Sequence, residues 1–123
     1  MSQHDFEIAN QTSNAARTDI NNALQALASS SSGTSAPGTT YANQLWYDIN
    51  NNLLKIRNEA NSAWITVGEV DQSNSRFNPI IGSWKMLLSG TSLVFEYNGT
   101  NKGKIDASGN LTVVGNVTAN GTV

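Results

Sequence analysis

Residues able to do acid–base or nucleophilic chemistry are few and scattered. His4 is the sole histidine and cysteine is absent from the 123 residues. A Ser–His–Asp relay needs its imidazole held rigidly between two partners. A histidine so near the N-terminus is expected to be solvated instead. Zinc sites built on His or Cys are excluded by count. The 9 acidic residues are dispersed, and no D-x-D-x-D-G loop gathers oxygen ligands for calcium. Glu69 and Asp71 stand two apart, as do Asp5 and Glu7. Paired carboxylates cleave glycosidic bonds when a pocket tunes one as the acid. Neither pair lies in a stretch that predicts such a pocket, and a solvated strand end is the reading for Glu69 and Asp71. No G-x-x-x-x-G-K-[ST] or G-x-G-x-x-G run supports nucleotide binding. No catalytic, cofactor-binding or metal-binding residue is assigned, and the chain is expected not to be an enzyme.

The residues present suit surfaces better than reactions. Apolar residues make up 38% and charged residues 13%, while 17 Asn, 14 Ser and 11 Thr fill the remainder. Such a chain has limited apolar area to offset the entropy lost on folding, so a partner subunit is expected to complete its core. The net charge is −2 with scattered Lys and Arg. That leaves no basic stripe for phosphates, and nucleic acid is not an expected partner. No run approaches the roughly 18 apolar residues that span a bilayer, so a membrane is not expected either. The first residues lack the basic-then-apolar pattern of a secretory signal. The N-x-[ST] sequons at 98–100 and 116–118 are chance products of an Asn/Thr-rich chain. Trp46, Tyr47, Trp64, Trp84 and Tyr97 are able to stack on sugars. In so small a core they are expected as core or subunit-interface anchors, because large aromatics are costly to leave wet.

Several elements must position these side chains. Residues 3–28 read as a helix. Phe6, Ala9, Ser13, Ala16, Ile20, Ala23 and Leu27 recur at spacings of three and four, which fits a coiled-coil seam rich in small residues. Ala16, Ile20, Leu24 and Leu27 equally fit an ordinary amphipathic helix. Asp5 and Glu7 near the start suit the positive end of the helix dipole. Residues 29–40, with four consecutive serines, Gly33, Pro37 and Gly38, read as a linker with nothing to bury. Residues 41–70 read as a three-stranded meander with strands at 44–48, 53–57 and 64–67 and turns at 49–52 and 58–62. Residues 71–82 read as a polar, irregular linker broken by Pro79 and Gly82. Residues 83–123 form a second β region. Trp84, Met86 and Leu88 alternate with their neighbours there, as do Leu93, Phe95 and Tyr97, and Asn98-Gly99 predicts a hairpin. The last fifteen residues repeat with a period of six, at Gly109, Gly115 and Gly121. Such hexads stack into shafts; the other reading is one hairpin and a tail.

Two groups of words look familiar. His4-Asp5-Phe6 through Leu27, Tyr41-Ala42-Asn43-Gln44-Leu45-Trp46-Tyr47-Asp48, Leu54-Lys55-Ile56-Arg57-Asn58 and Ala63-Trp64-Ile65-Thr66-Val67-Gly68 resemble N-terminal parts of tail-fibre and related structural proteins of tailed phages, cyanophages among them. Residues 93–100 through 122 resemble a shaft segment common in phage fibres. The resemblance implies a virion protein that is mainly β with an N-terminal α-helix, an elongated, trimeric, fibre-like assembly of small β modules. Its N-terminal region would anchor it to the particle. The expected partners are two further copies of the chain, other tail or capsid proteins and, for host attachment, a surface glycan. Synthesis is expected in the cytoplasm of the bacterial host. Within the trimer, Phe6, Ala9, Ala16, Ile20, Ala23 and Leu27 would face symmetry mates along the helix, and Trp46, Trp64, Trp84 and Phe95 along the β modules. Fibres of this kind usually run on to a distal receptor-binding tip. A short version is expected as a head fibre, a capsid decoration protein or an adaptor. A carbohydrate-binding module is the reading from a different class.

Overall fold

The computed structural model describes residues 3–118. One helix, α1 (Ser13–Ala28), precedes eight strands: β1 (Leu45–Asp48), β2 (Leu53–Arg57), β3 (Trp64–Asp71), β4 (Arg76–Ile81), β5 (Trp84–Ser89), β6 (Ser92–Tyr97), β7 (Thr100–Ile105) and β8 (Leu111–Val113). Every strand pairs antiparallel with the next, so the sheet order is the chain order and the sheet is open. The protein is thus mainly β with an N-terminal helix.

The helix is shorter than the seam pattern predicts. Thr12 is its N-cap, with Oγ1 accepting from the Ala15 N–H. Phe6 lies upstream with φ +63°, outside helical space. Asp5 and Glu7 therefore stand away from the helix start and do not serve its dipole. At the other end Ser30 has φ +52°, the Ser31 N–H donates to the Ala26 carbonyl at 2.7 Å, and the Ser30 N–H to that of Leu27 at 3.1 Å. This is a Schellman cap with serine in place of the usual glycine.

Residues 29–40 are not a linker with nothing to bury. Ser31 is 3% exposed, and Gly33 and Pro37 are buried. The segment lies along the outer edge of β1. The Tyr47 N–H donates to Ser30 at 3.1 Å, the Gly33 N–H to Tyr47 at 3.1 Å and the Ile49 N–H to Gly33 at 3.0 Å. The edge strand's unpaired groups need partners, and the serine-rich segment supplies them.

Residues 71–82 likewise differ from the expected linker. Residues 76–81 form β4, which pairs with β3 through Gly68↔Pro79 to Asp71↔Arg76 and with β5 through Ile80↔Lys85 and Ile81↔Trp84. β4 therefore joins the two expected β regions into one meander. β3 also runs through Gly68 to Asp71, where the sequence reading ended it. The hexad repeat reaches β8 only in its first copy; residues 119–123 lie outside the described residues.

Short-range polar chemistry makes the turns. Asp48 Oδ1 accepts from the Asn51 N–H, Asp71 Oδ1 from Ser73 and Asn74, and Asp106 Oδ1 from Ser108 and Asn110. In each case the Asn side chain also donates to the second oxygen. Asn52, Asn61 and Asn98 take positive φ, as asparagine tolerates. Asn98 (+47°) and Gly99 (+77°) together make the expected tight hairpin.

Gly68 is required for space. A Cβ there would lie 2.3 Å from Phe77 Cζ and 2.8 Å from the Asn78 carbonyl oxygen. Gly68→Ala is expected to cost about 1–3 kcal/mol through overpacking. Urea unfolding should show a lower midpoint at constant slope; an unchanged midpoint would mean that the strand pair absorbs the methyl freely.

Candidate functional site

The pairing register sorts the side chains. Cross-strand partners share a face and neighbours along a strand alternate. Following the pairs from Trp46↔Lys55 to Lys104↔Thr112 puts Asp48, Lys55, Arg57, Glu69, Asp71, Arg76, Lys85, Glu96 and Lys104 on one face. The other face carries Leu45, Leu54, Ile56, Ile65, Phe77, Pro79, Ile81, Trp84, Met86, Leu88, Leu93, Phe95, Tyr97, Ile105, Leu111 and Val113, and no charge. Val67 and Lys102 sit at the two register shifts and belong to neither set.

The charged face holds two ion-pair clusters, although the Trp46 indole Nε1 is buried there without a hydrogen-bond partner. Asp48 is 3% exposed and receives Lys55 Nζ at 2.9 Å and Asn51 Nδ2 at 2.9 Å. Lys55 Nζ also lies 4.5 Å above the Trp46 ring, and Arg57 5.3 Å above Trp64. The two indoles meet edge to face at 5.2 Å. Further along, Lys85 bridges Glu69 and Glu96 at 3.4 Å each, and buried Asn78 donates to Glu69 at 3.0 Å. Glu69 and Asp71 thus have separate structural partners: Glu69 serves this network and Asp71 the β3–β4 turn. Among the described residues no group of three or more His, Asp or Glu could hold a metal ion, and no helix is long and apolar enough to cross a membrane.

The apolar face is uncovered. Ile81 is 73% exposed, Leu111 61% and Ile65 54%, and Phe77, Trp84, Leu88 and Leu45 are also exposed. Apart from Val67 at the bulge, every exposed large apolar side chain within a strand lies on this face. The sequence-predicted anchors are consequently divided. Trp84 and Phe95 belong to the apolar face, Trp46 and Trp64 to the charged one. Trp46 is 6% exposed beneath Lys55 and Trp64, so it is an anchor within its own chain. An exposed aromatic pair does exist at Trp84 and Tyr97, 5.1 Å apart. The alternation of Trp84, Met86 and Leu88 signalled part of the apolar face. Ile65, Ile81 and Leu111 were missed because a face becomes visible only when registers are chained across strands.

The helical candidates are divided too. Ala16, Ile20, Ala23 and Leu27 lie on α1, where Ile20 and Leu27 are exposed; Leu24 is exposed beside them. Ala26, off the seam, is the buried residue that seats the helix. Ala9 is exposed and precedes the helix. Phe6 stacks edge to face on Tyr41 at 5.9 Å. With Leu27, Ala42 and Leu45 they line an apolar hollow of about 430 Å³. His4 is not solvated: its side chain is 9% exposed. Nδ1 accepts from the Phe6 N–H at 2.7 Å, which leaves the proton on Nε2 to be donated to Asp19 at 2.7 Å. The Tyr41 hydroxyl donates to the Asp5 carbonyl, and Gln3 Nε2 donates to Ser31 and Ser35. These bonds fold the N-terminal arm back onto α1 and the serine segment.

The turn carboxylates make stability pH-dependent. Burial works to raise the Asp48 pKa, but the Asn51 hydrogen bonds and the Lys55 ammonium outweigh it and hold it below the usual value. The Asn74 and Asn110 side chains, helped by backbone N–H groups, lower Asp71 and Asp106. A depressed folded-state pKa contributes stability that is present above the unfolded pKa and lost as pH falls through the folded one. Burial tends to lower the Lys85 pKa, but Glu69 and Glu96 outweigh it and raise it above 10.5, so its contribution is lost only in strong alkali. The urea midpoint is therefore expected to be flat around neutrality and to fall below about pH 4, less so in Asp71→Asn/Asp106→Asn. An acid fall identical in that double variant would assign the effect to other groups. Comparison with protein-family models, curated proteins and solved structures found no match.

Proposed function

We propose that this chain is a structural subunit of a phage particle, of tail-fibre type, that assembles as a homotrimer and is held to the particle through its N-terminal region. The particle and the threefold symmetry come from the sequence resemblance. Self-association is supported by one observation above all, the near absence of a core in the single chain. Among the described residues Ala26, Trp46 and Val94 are the buried hydrophobics, and no large side chain is fully buried. The chain exposes 8331 Å², where a compact monomer of 13.1 kDa would expose roughly 6,400 Å². Eight strands hold together in this geometry, but their packing is incomplete until another surface arrives.

The N-terminal arm, α1 and the serine segment form a unit at one end of the sheet, suited to docking on a neighbouring virion protein. A capsid decoration protein or head fibre would use the same architecture on a different part of the particle. The exposed Trp84–Tyr97 pair favours a second reading, contact with a host surface glycan.

Light scattering at micromolar concentration is expected to return three times the chain mass of 13.1 kDa; a stable, folded monomer would reject the subunit reading. Antibody labelling of intact particles is expected on the tail, and signal on the head would move the protein to the decoration class. In the glycan reading, Trp84→Ala abolishes binding on a glycan array while the fold is retained. Absence of any glycan bound by the unaltered protein removes that reading.

A further inference from the structure

We infer that the copies meet through the uncharged face of the sheet, with the charged face of every copy turned outward. This rests on the homo-oligomer reading and goes beyond it by naming the surface. It departs from the sequence expectation in leaving Trp46 and Trp64, on the charged face, outside the proposed interface.

Three observations commit the face to a second copy. The first is area. The whole chain, arm and helix included, exposes roughly 1,900 Å² more than a compact monomer, of the order that each subunit gives up in an obligate interface, and the exposed large apolar side chains of the strands, Val67 aside, lie on this face. The second is charge. The face carries no charged side chain across all eight strands, whereas the opposite face carries the charges, with Lys55 paired to Asp48 and Lys85 to Glu69 and Glu96. A surface without charge offers nothing to a charged partner and is complementary to another copy of itself, and depletion of charge marks interface cores. The third is the edges. β1 is closed along its outer side by Ser30 and Gly33, so copies cannot extend the sheet by pairing β8 of one with β1 of the next. Of the two faces, the uncharged one is that whose burial costs no desolvation of ions.

The absence of cysteine allows a test that leaves the fold intact. Ile81→Cys and Leu111→Cys place single thiols on the uncharged face at its most exposed points, and Thr112→Cys places one beside Leu111 on the charged face. The full chain is reacted with a small maleimide at a concentration where light scattering reads the oligomer. The thiols of Ile81→Cys and Leu111→Cys are expected to react about tenfold or more slowly than that of Thr112→Cys, as for groups reached only by opening. Denaturation in urea should equalise the three rates. Equal rates in the intact oligomer would overturn the face assignment while leaving the subunit reading standing. A monomeric mass for the unaltered chain would overturn both. Protection that arises only on adding phosphatidylcholine vesicles would put lipid on the face and overturn the assignment to a second copy. Ile81→Lys/Leu111→Lys provides an independent readout, with loss of the oligomer expected. Retention of the oligomeric mass in that variant would count against the face.

Discussion

The two-residue period of the β-strand, carried without interruption of sense through eight strands, governs this protein. Each pair passes its facing to the next, so a slip of one residue at any hairpin would turn Lys55 or Lys85 onto the apolar side and Ile56 or Met86 onto the charged side. The two register shifts, at Val67 and Lys102, are the places where an extra residue is absorbed without reversing the faces. The ion pairs then reinforce the register from one side. Lys85 reaches both Glu69 and Glu96 only because β3, β5 and β6 stand in this alignment.

The result inverts the usual arrangement of a globular sheet. Here the face with ions includes the buried groups Asp48, Asn78 and Trp46, while the face of Ile and Leu is open. Long cationic side chains make this workable. Lys55 and Arg57 lie over indoles and shield them while their charged ends keep polar partners. A single copy thus buries groups on its polar side and leaves its apolar side uncovered.

Local hydrogen bonding explains the composition. The Asn-rich character, which sequence reading treats as a deficit of core, serves the turns. Asn51, Asn74 and Asn110 clasp an aspartate across a hairpin, and Asn52, Asn61 and Asn98 take backbone angles that bulkier residues resist. The serines after α1 act in the same way, as a helix cap and then as the cover of an edge strand. A meander stitched by such turns has contacts mostly between neighbours in sequence, which suits a fold with so little core.

Much of the local structure was legible from residues alone, because turns, caps and alternation are written in short windows. The strand at 53–57, the tight turn at Asn98-Gly99 and the alternation of Trp84, Met86 and Leu88 follow from chemistry within a few positions. What the sequence could not decide were matters of partnership. Pro79 reads as a breaker, yet β4 holds it because its neighbours on both sides are strands that the local window does not contain. Phe6 fits a helical seam by spacing but rests on Tyr41, and His4 is held by Asp19, because the arm folds back across the chain. Trp46 and Trp84 look alike in sequence. Only the accumulated register, a sum over every intervening hairpin, places one beneath Lys55 and leaves the other facing outward. Short-range stereochemistry therefore determined the elements, and long-range pairing determined which side of each element needs cover.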